Sequence, residues 1–319
     1  MPPNRENCTF KLIPLLSPLQ IKQPSAIALG SFDGLHEGHR QVIKSIVKSN
    51  NGIPTVVSFW PHPREILYGE RRLRLDLPNE KTYLLELLGI KQLVLIPFDL
   101  ELASQIPEEF IEKVLHKTLR AREISIGENF HFGKDRTGNA IQLKKIANNL
   151  GIKVNVIPIT KDSFGRMSSS RIREALKEGD LKTAKKLLGR PYSFKGKVIK
   201  GKGIGKKIGW PTANLEVNGR KFLPKIGVYA AIASVKRRNF TIPAVMNLGP
   251  QPTIDPDSPS KAEVHLINTD IDLYGDELKV IPTERIRGQI KFESLEMLTK
   301  QIKADVSTAS KILNYLPES

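Results

Sequence analysis

Gly30-Ser31-Phe32-Asp33-Gly34-Leu35-His36-Glu37-Gly38-His39 stands between a short apolar run, Ala26 to Leu29, and a segment in which Val42, Ile43, Ile46 and Val47 recur at helical spacing. The pattern predicts a buried strand, a glycine-bearing turn and an amphipathic helix. Gly30, Gly34 and Gly38 remove side chains where the chain turns, so a phosphate can approach the helix N-terminus and its free N–H groups. His36 and His39, three apart, add imidazole donors on the same side of that helix. A tight turn before a solvated helix would account for the glycines but leaves the two histidines unexplained.

Outward from this stretch, apolar runs at Thr55 to Phe59, Leu93 to Phe98, Glu123 to Ile126 and Val154 to Ile159 read as further strands. Helical periods lie between them: Leu84 to Leu88 ending at Gly89, a second from Pro107 through Leu115, and a third from Ile141 to Leu150 ending at Gly151. Strands alternating with helices predict a doubly wound α/β domain with a parallel sheet, whose ligands bind at the carboxyl ends of the strands. Ser168, Ser169 and Ser170 offer N-cap hydroxyls for a helix through Ile172 and Leu176, with Arg166, Arg171 and Arg173 around the same end. By itself that is an ordinary capped helix. Beside the first motif it becomes a second anion site.

A short helix from Leu181 to Leu188 stops at Gly189, and the boundary is placed here, giving domains 1–186 and 187–319. Beyond it the texture changes to short alternating strands: Phe194 to Ile199, Gly227 to Val235, Thr241 to Met246, Ala262 to Ile267, and a hairpin through Ile271 to Val280. These predict a small antiparallel barrel or sandwich. Phe292 to Ile302 and Val306 to Leu313 predict two closing helices.

Gly201, Gly203, Gly205 and Gly209 run among lysines and lead into Trp210-Pro211-Thr212-Ala213-Asn214. Closely spaced glycines let backbone N–H groups face phosphate oxygens, although a flexible basic loop explains them equally. Thr212 and Asn214, two residues apart on an extended segment, can both face a hard cation such as Mg²⁺. Glu263 and His265 share the polar face of a strand, with Val264 and Leu266 on the other. A strand carboxylate can be held rigidly as a base for an acceptor hydroxyl, which makes Glu263 a candidate. His265 is read as an ordinary exposed strand residue.

With 39% hydrophobic residues over 319 positions, the chain is long enough for two packed cores. Its single cysteine, Cys8, rules out a disulfide framework and a thiolate zinc site, and fits a reducing compartment. No stretch of eighteen apolar residues and no secretory pattern occurs, so the expectation is a cytoplasmic protein without a membrane partner. The formal charge of +17 calls for anionic partners. The basic residues are spread along the chain and carry no nucleic-acid-binding signature, so nucleotide phosphates, rather than nucleic acid, are expected.

In order along nearly the whole chain, these motifs resemble the bacterial bifunctional riboflavin kinase and FAD synthetase family. The first half is similar through Gly30 to His39, Pro61-His62-Pro63-Arg64-Glu65, Gly127 to Gly133, and Arg166-Met167-Ser168-Ser169-Ser170-Arg171-Ile172-Arg173. The second is similar through Gly201 to Asn214, Val245 to Gly249 with Pro252-Thr253, Glu263 to Leu266, Tyr274-Gly275, and Arg285 to Phe292. The resemblance implies a nucleotidyltransferase domain followed by a β-barrel kinase domain. Riboflavin would take the γ-phosphoryl group of ATP to give FMN, and FMN would attack the α-phosphorus of a second ATP to give FAD and pyrophosphate. It assigns Glu263 as the kinase base, with Gly201, Gly203, Gly205, Pro211, Thr212 and Asn214 at the nucleotide, and Thr212 and Asn214 beside Mg²⁺. For adenylyl transfer it assigns His36 and His39, opposed by Arg166 and Ser169, with Gly30, Phe32, Asp33, Gly34, Gly38, Ser170 and Arg173 at the nucleotide. Asn129, Arg287 and Phe292 are assigned to the flavin. Mg²⁺ with ATP is the implied requirement, without a permanently bound organic cofactor. The family also departs from this chain: Gly288 follows Arg287 where an acidic residue is frequent, and Lys202 stands where the family is acidic or neutral. A nucleotidyltransferase for another acceptor, an aminoacyl-tRNA synthetase-like fold and a basic RNA-binding module stay as alternatives, and the kinase-like half weighs against the first two.

Overall fold

The computed structural model describes residues 12–70, 73–201, 203–235, 241–249, 259–269 and 271–314. Cys8, Lys202 and the Pro252-Thr253 pair lie outside the described residues. The chain divides into two compact units, one of residues 1–72 and 76–167, the other of residues 73–75 and 168–319.

In the first unit, six strands form one parallel sheet: β1 (Leu15–Leu16), β2 (Ser25–Leu29), β3 (Ile53–Trp60), β4 (Gln92–Pro97), β5 (Ala121–Gly127) and β6 (Lys153–Ile157), in the order β1-β4-β3-β2-β5-β6. All five residues of β2 are buried, as a central parallel strand covered on both faces requires. The two faces carry separate apolar clusters. One gathers Ile27, Leu29, Phe110, Leu115 and Leu143, and the other Ala26, Ala28, Val42, Ile43, Ile46 and Leu85. Helix Glu37–Val47 buries Val42, Ile43 and Ile46, the residues whose spacing announced it. The helix begun by Pro107 continues as a π-helix over Phe110–Thr118, which the apolar spacing did not distinguish from an α-helix.

In the second unit, β7 (Phe194–Ile199), β8 (Ala213–Val217), β9 (Gly227–Val235), β10 (Thr241–Leu248), β11 (Ser260–Leu266) and β12 (Glu277–Arg287) close a barrel in the order β7-β8-β11-β10-β9-β12, all neighbours antiparallel. Closure leaves no edge to aggregate. Two expectations are corrected here. The hairpin through Ile271 to Val280 is a turn and one strand: Tyr274 N donates to Asp272 Oδ1 at 2.9 Å, and β12 starts only at Glu277. The two closing helices are one, Leu295–Ile312, because Lys303, Ala304 and Asp305 between the two apolar periods include no breaker.

Candidate active sites

At the carboxyl end of β2 the chain enters the decisive stretch. Phe32, Gly34 and Leu35 take left-handed backbone with φ of 45°, 86° and 45°. For Phe32 and Leu35 that conformation is strained, and it is held because both side chains are buried, 2% and 3% exposed. The loop is pinned at the Ser31 carbonyl, which accepts from Lys81 Nζ at 3.0 Å and Ser58 Oγ at 3.2 Å. Lys81 is a buried residue, and the sequence reading missed it. Its only sequence signal is a lysine inside an otherwise unremarkable helix start. Asp33 is buried and accepts from Asp76 N at 3.3 Å. Gly30 is small for a local reason, since a Cβ there would stand 3.1 Å from the Phe32 ring.

His36 caps helix Glu37–Val47, and its ring stacks on His39 with centroids 3.6 Å apart and planes 23° apart. Phe32 meets His39 edge-on at 5.4 Å. The Nδ1 atoms of both imidazoles are buried without a hydrogen-bond partner. Burial, then Arg166 and Arg40, push His36 down to about 4, against the opposing pull of Asp33. Burial, then His36, Lys81 and Arg166, hold His39 well below the ordinary histidine range. Both rings are therefore neutral at pH 7, each with one N–H to give and one lone pair.

These histidines line a cavity of about 700 Å³ with Gly30, Phe32, Gly38, Asn129 and Arg166. Among its other walls are His62, Phe98, Phe110, Thr160 and Tyr68, which combine apolar surface with a few polar groups as ligand pockets do. With its amide oxygen turned toward Arg166, Asn129 accepts from Nη2 at 2.7 Å and Nη1 at 3.2 Å, which joins two predicted residues. Thr160, whose hydroxyl donates to Gln41 Oε1 at 2.8 Å, lies 3.4 Å from where a Gly38 Cβ would stand. Gly38 thus lies between His36 and Thr160 on the cavity wall.

Ser169, Ser170 and Arg173 belong to the second unit. There Ser168 Oγ accepts from Arg171 N at 3.3 Å and caps helix Ser169–Glu178. The Arg173 guanidinium donates to Ser169 O and Leu73 O, both at 3.3 Å, and lies 6.0 Å over the Phe222 ring.

In the barrel, register assembles the candidates. Asn214 on β8 and Asn247 on β10 pair directly with Glu263 on the strand between them, so three polar side chains form a row across β8, β11 and β10. Asn247 lies within the Val245 to Gly249 motif, but nothing local sets it apart there as a site residue. The glycine run packs on this row: a Cβ at Gly201 would stand 2.1 Å from Asn214 Nδ2, and one at Gly205 would stand 3.2 Å from Thr212 Oγ1. Gly203 carries φ of 70° at the start of the single turn Ile204–Lys207. His265 is corrected: it is buried rather than exposed, with Nδ1 2.8 Å from the Pro211 carbonyl and its ring edge-on to Trp210 at 5.2 Å.

Arg287 and Phe292 come together, the guanidinium 5.9 Å over the ring. The same guanidinium pairs with Asp305 through Nε at 2.9 and 3.2 Å and Nη2 at 2.6 Å.

A riboflavin kinase family model matches residues 188–313 and an FAD synthetase model residues 19–171. The bifunctional riboflavin kinase/FMN adenylyltransferase of Haemophilus influenzae is 35% identical over 92% of this chain and 96% of its own. The chain belongs to this bifunctional family. The enzyme of the same name from Bacillus subtilis is 35% identical over 92% of this chain and 93% of its own. A solved structure described as a macrolide-efflux protein from Streptococcus pneumoniae is 30% identical with a TM-score of 0.80, covering 92% of this chain and 98% of that one. No described helix of this chain is long and apolar enough to cross a membrane.

Proposed function

We propose that His36, His39 and Arg166 carry adenylyl transfer in residues 1–186, and that Glu263, Thr212 and Asn214 carry phosphoryl transfer in residues 187–319. As a family member the chain makes FMN from riboflavin and FAD from FMN, with ATP as co-substrate in both steps. The observation that carries the first assignment is the stacked pair of neutral imidazoles, with buried unsatisfied Nδ1 atoms, on the wall of a ligand-sized cavity. When an FMN phosphate oxygen attacks the α-phosphorus, charge moves onto the departing pyrophosphate. Imidazole N–H groups and the Arg166 guanidinium stabilise it.

In the barrel, Glu263 takes the proton of the riboflavin hydroxyl as its oxygen attacks the γ-phosphorus. Asn214 and Asn247 flank Glu263 from both neighbouring strands. The Thr212 hydroxyl and Asn214 amide oxygen are hard donors suited to Mg²⁺. Mg²⁺ held there would neutralise phosphate charge. Asn129 serves the flavin phosphate in the first unit, and Arg287 and Phe292 serve the flavin in the second. The cytoplasm, where ATP and riboflavin meet, is the compartment we assign. The test is to incubate the purified protein with riboflavin, ATP and Mg²⁺ and to separate the flavins over time. FMN should rise first and FAD follow, and absence of both overturns the reading.

A further inference from the structure

We infer that His265 is a positioning residue for the phosphoryl-transfer site: its Nδ1–H fixes the Pro211 carbonyl and thereby the Thr212 hydroxyl. This rests on the assignment of Thr212 to the ATP phosphates. A carbonyl oxygen can only accept, so the 2.8 Å contact places the proton on Nδ1. The β8–β11 ladder stops at the pair Ala213 and Val264. Thr212 therefore lies one residue beyond the last ladder partner. Pro211, before it, has no N–H with which to extend the ladder. Without another tether, Thr212 would sit on a frayed strand end beside a glycine-rich segment.

His265 supplies that tether from the strand carrying Glu263, two residues away on the same face. The ring is buried at 9% exposure and stands edge-on to Trp210 at 5.2 Å, with planes 73° apart, so packing as well as the hydrogen bond fixes its direction. Trp210 in turn donates its N–H to Gly205 O at 2.8 Å. One imidazole thus joins the strand of the proposed base to both the Thr212 segment and the glycine run. The spacing between the base and the cation-binding hydroxyl is set by this contact rather than by the ladder.

The test compares His265→Phe, which keeps a ring against Trp210 but loses the donor, with His265→Asn, which keeps a donor. Riboflavin phosphorylation and FAD formation from supplied FMN are measured separately, with KM for ATP in each. His265→Phe should raise KM for ATP in phosphorylation by about tenfold, the worth of one buried hydrogen bond. KM for riboflavin, and FAD formation from FMN, should be unchanged, and His265→Asn should recover part of the loss. Unchanged phosphorylation kinetics in His265→Phe, or equal losses in both reactions with a lowered melting temperature, overturns the inference. Thr212→Ala separates the two levels. If it leaves KM for ATP unaltered, the assignment of Thr212 fails; if it raises KM while His265→Phe does not, only the role of His265 fails.

Discussion

The imidazoles of His36 and His39 lie face to face with centroids 3.6 Å apart, in a place where burial and neighbouring cations keep both uncharged. Two cationic rings so close would repel, and neutral ones pack. In the proposed site the pair would present two neutral N–H donors, with formal charge supplied by Arg166.

This sets a pH dependence of stability. In the unfolded chain His36 titrates near 6.5, and in the fold it is pushed down to about 4. Between those values the unfolded state binds more protons, so stability rises with pH from about 4 to 6.5 and levels off above. The full swing from His36 alone is on the order of 3 kcal/mol. His36→Asn should flatten the melting-temperature profile over that window while FMN formation persists. An unaltered slope in the variant would contradict the assignment of the titration to this ring.

The two chemistries should separate by mutation. Glu263→Ala is expected to reduce FMN formation by about a hundredfold or more, the scale of lost general-base catalysis, and to leave FAD formation from supplied FMN intact. His36→Ala should do the reverse. Separate time courses with riboflavin and with FMN check both, and loss of both reactions in either folded variant would sink the idea of two independent sites.

How far the sequence foretold these sites depends on the range of the interactions involved. The β2 strand, the glycine turn and helix Glu37–Val47 are local, and their residues announce them through spacing and apolar character. The row Asn214, Glu263 and Asn247 is created by pairing of Glu263 with residues 49 and 16 positions earlier in the chain, and no local pattern encodes register. The same cause hid His265, whose partner Pro211 is 54 residues away. Strand β1, only Leu15–Leu16, is too short for a periodic signal, and β8 was seen as an extended segment without its pairing.

Asp305 is 3% exposed on helix Leu295–Ile312 and accepts both from Arg287 and from Gln301 Nε2 at 2.9 Å. Removing one member of a buried ion pair strands the other charge, at about 3–5 kcal/mol. Asp305→Ala should therefore lower the melting temperature clearly and release the ring of Phe292 from its place under Arg287. Thermal melts of Asp305→Ala and Asp305→Asn check this, and a melting temperature equal to the parent in both would show that the pair contributes nothing net.

Asn129 meets Arg166 through two contacts, at 2.7 and 3.2 Å, on the wall of the cavity that His36 and His39 line. Asn129→Ala removes these two contacts from the guanidinium. FAD formation from FMN should fall by about tenfold, the scale of one hydrogen bond to a charged group, with riboflavin phosphorylation unchanged. Equal FAD formation rates in variant and parent would remove Asn129 from the site.

Gly201 gives the narrowest steric test. Its φ lies outside the left-handed region, so its backbone would accept alanine, and only space forbids the change. A Cβ would stand 2.1 Å from Asn214 Nδ2 and 2.6 Å from Asn214 Cγ, so the amide or the glycine segment must move. Gly201→Ala should consequently impair riboflavin phosphorylation while FAD formation from FMN stays at the parent rate. Gly209→Ala, with no atom within 4 Å of its Cβ but φ of 82°, supplies the contrast: it strains the backbone without pressing on Asn214. If Gly201→Ala phosphorylates riboflavin as the parent does, Asn214 has no fixed position to lose, and its role beside Glu263 falls with it.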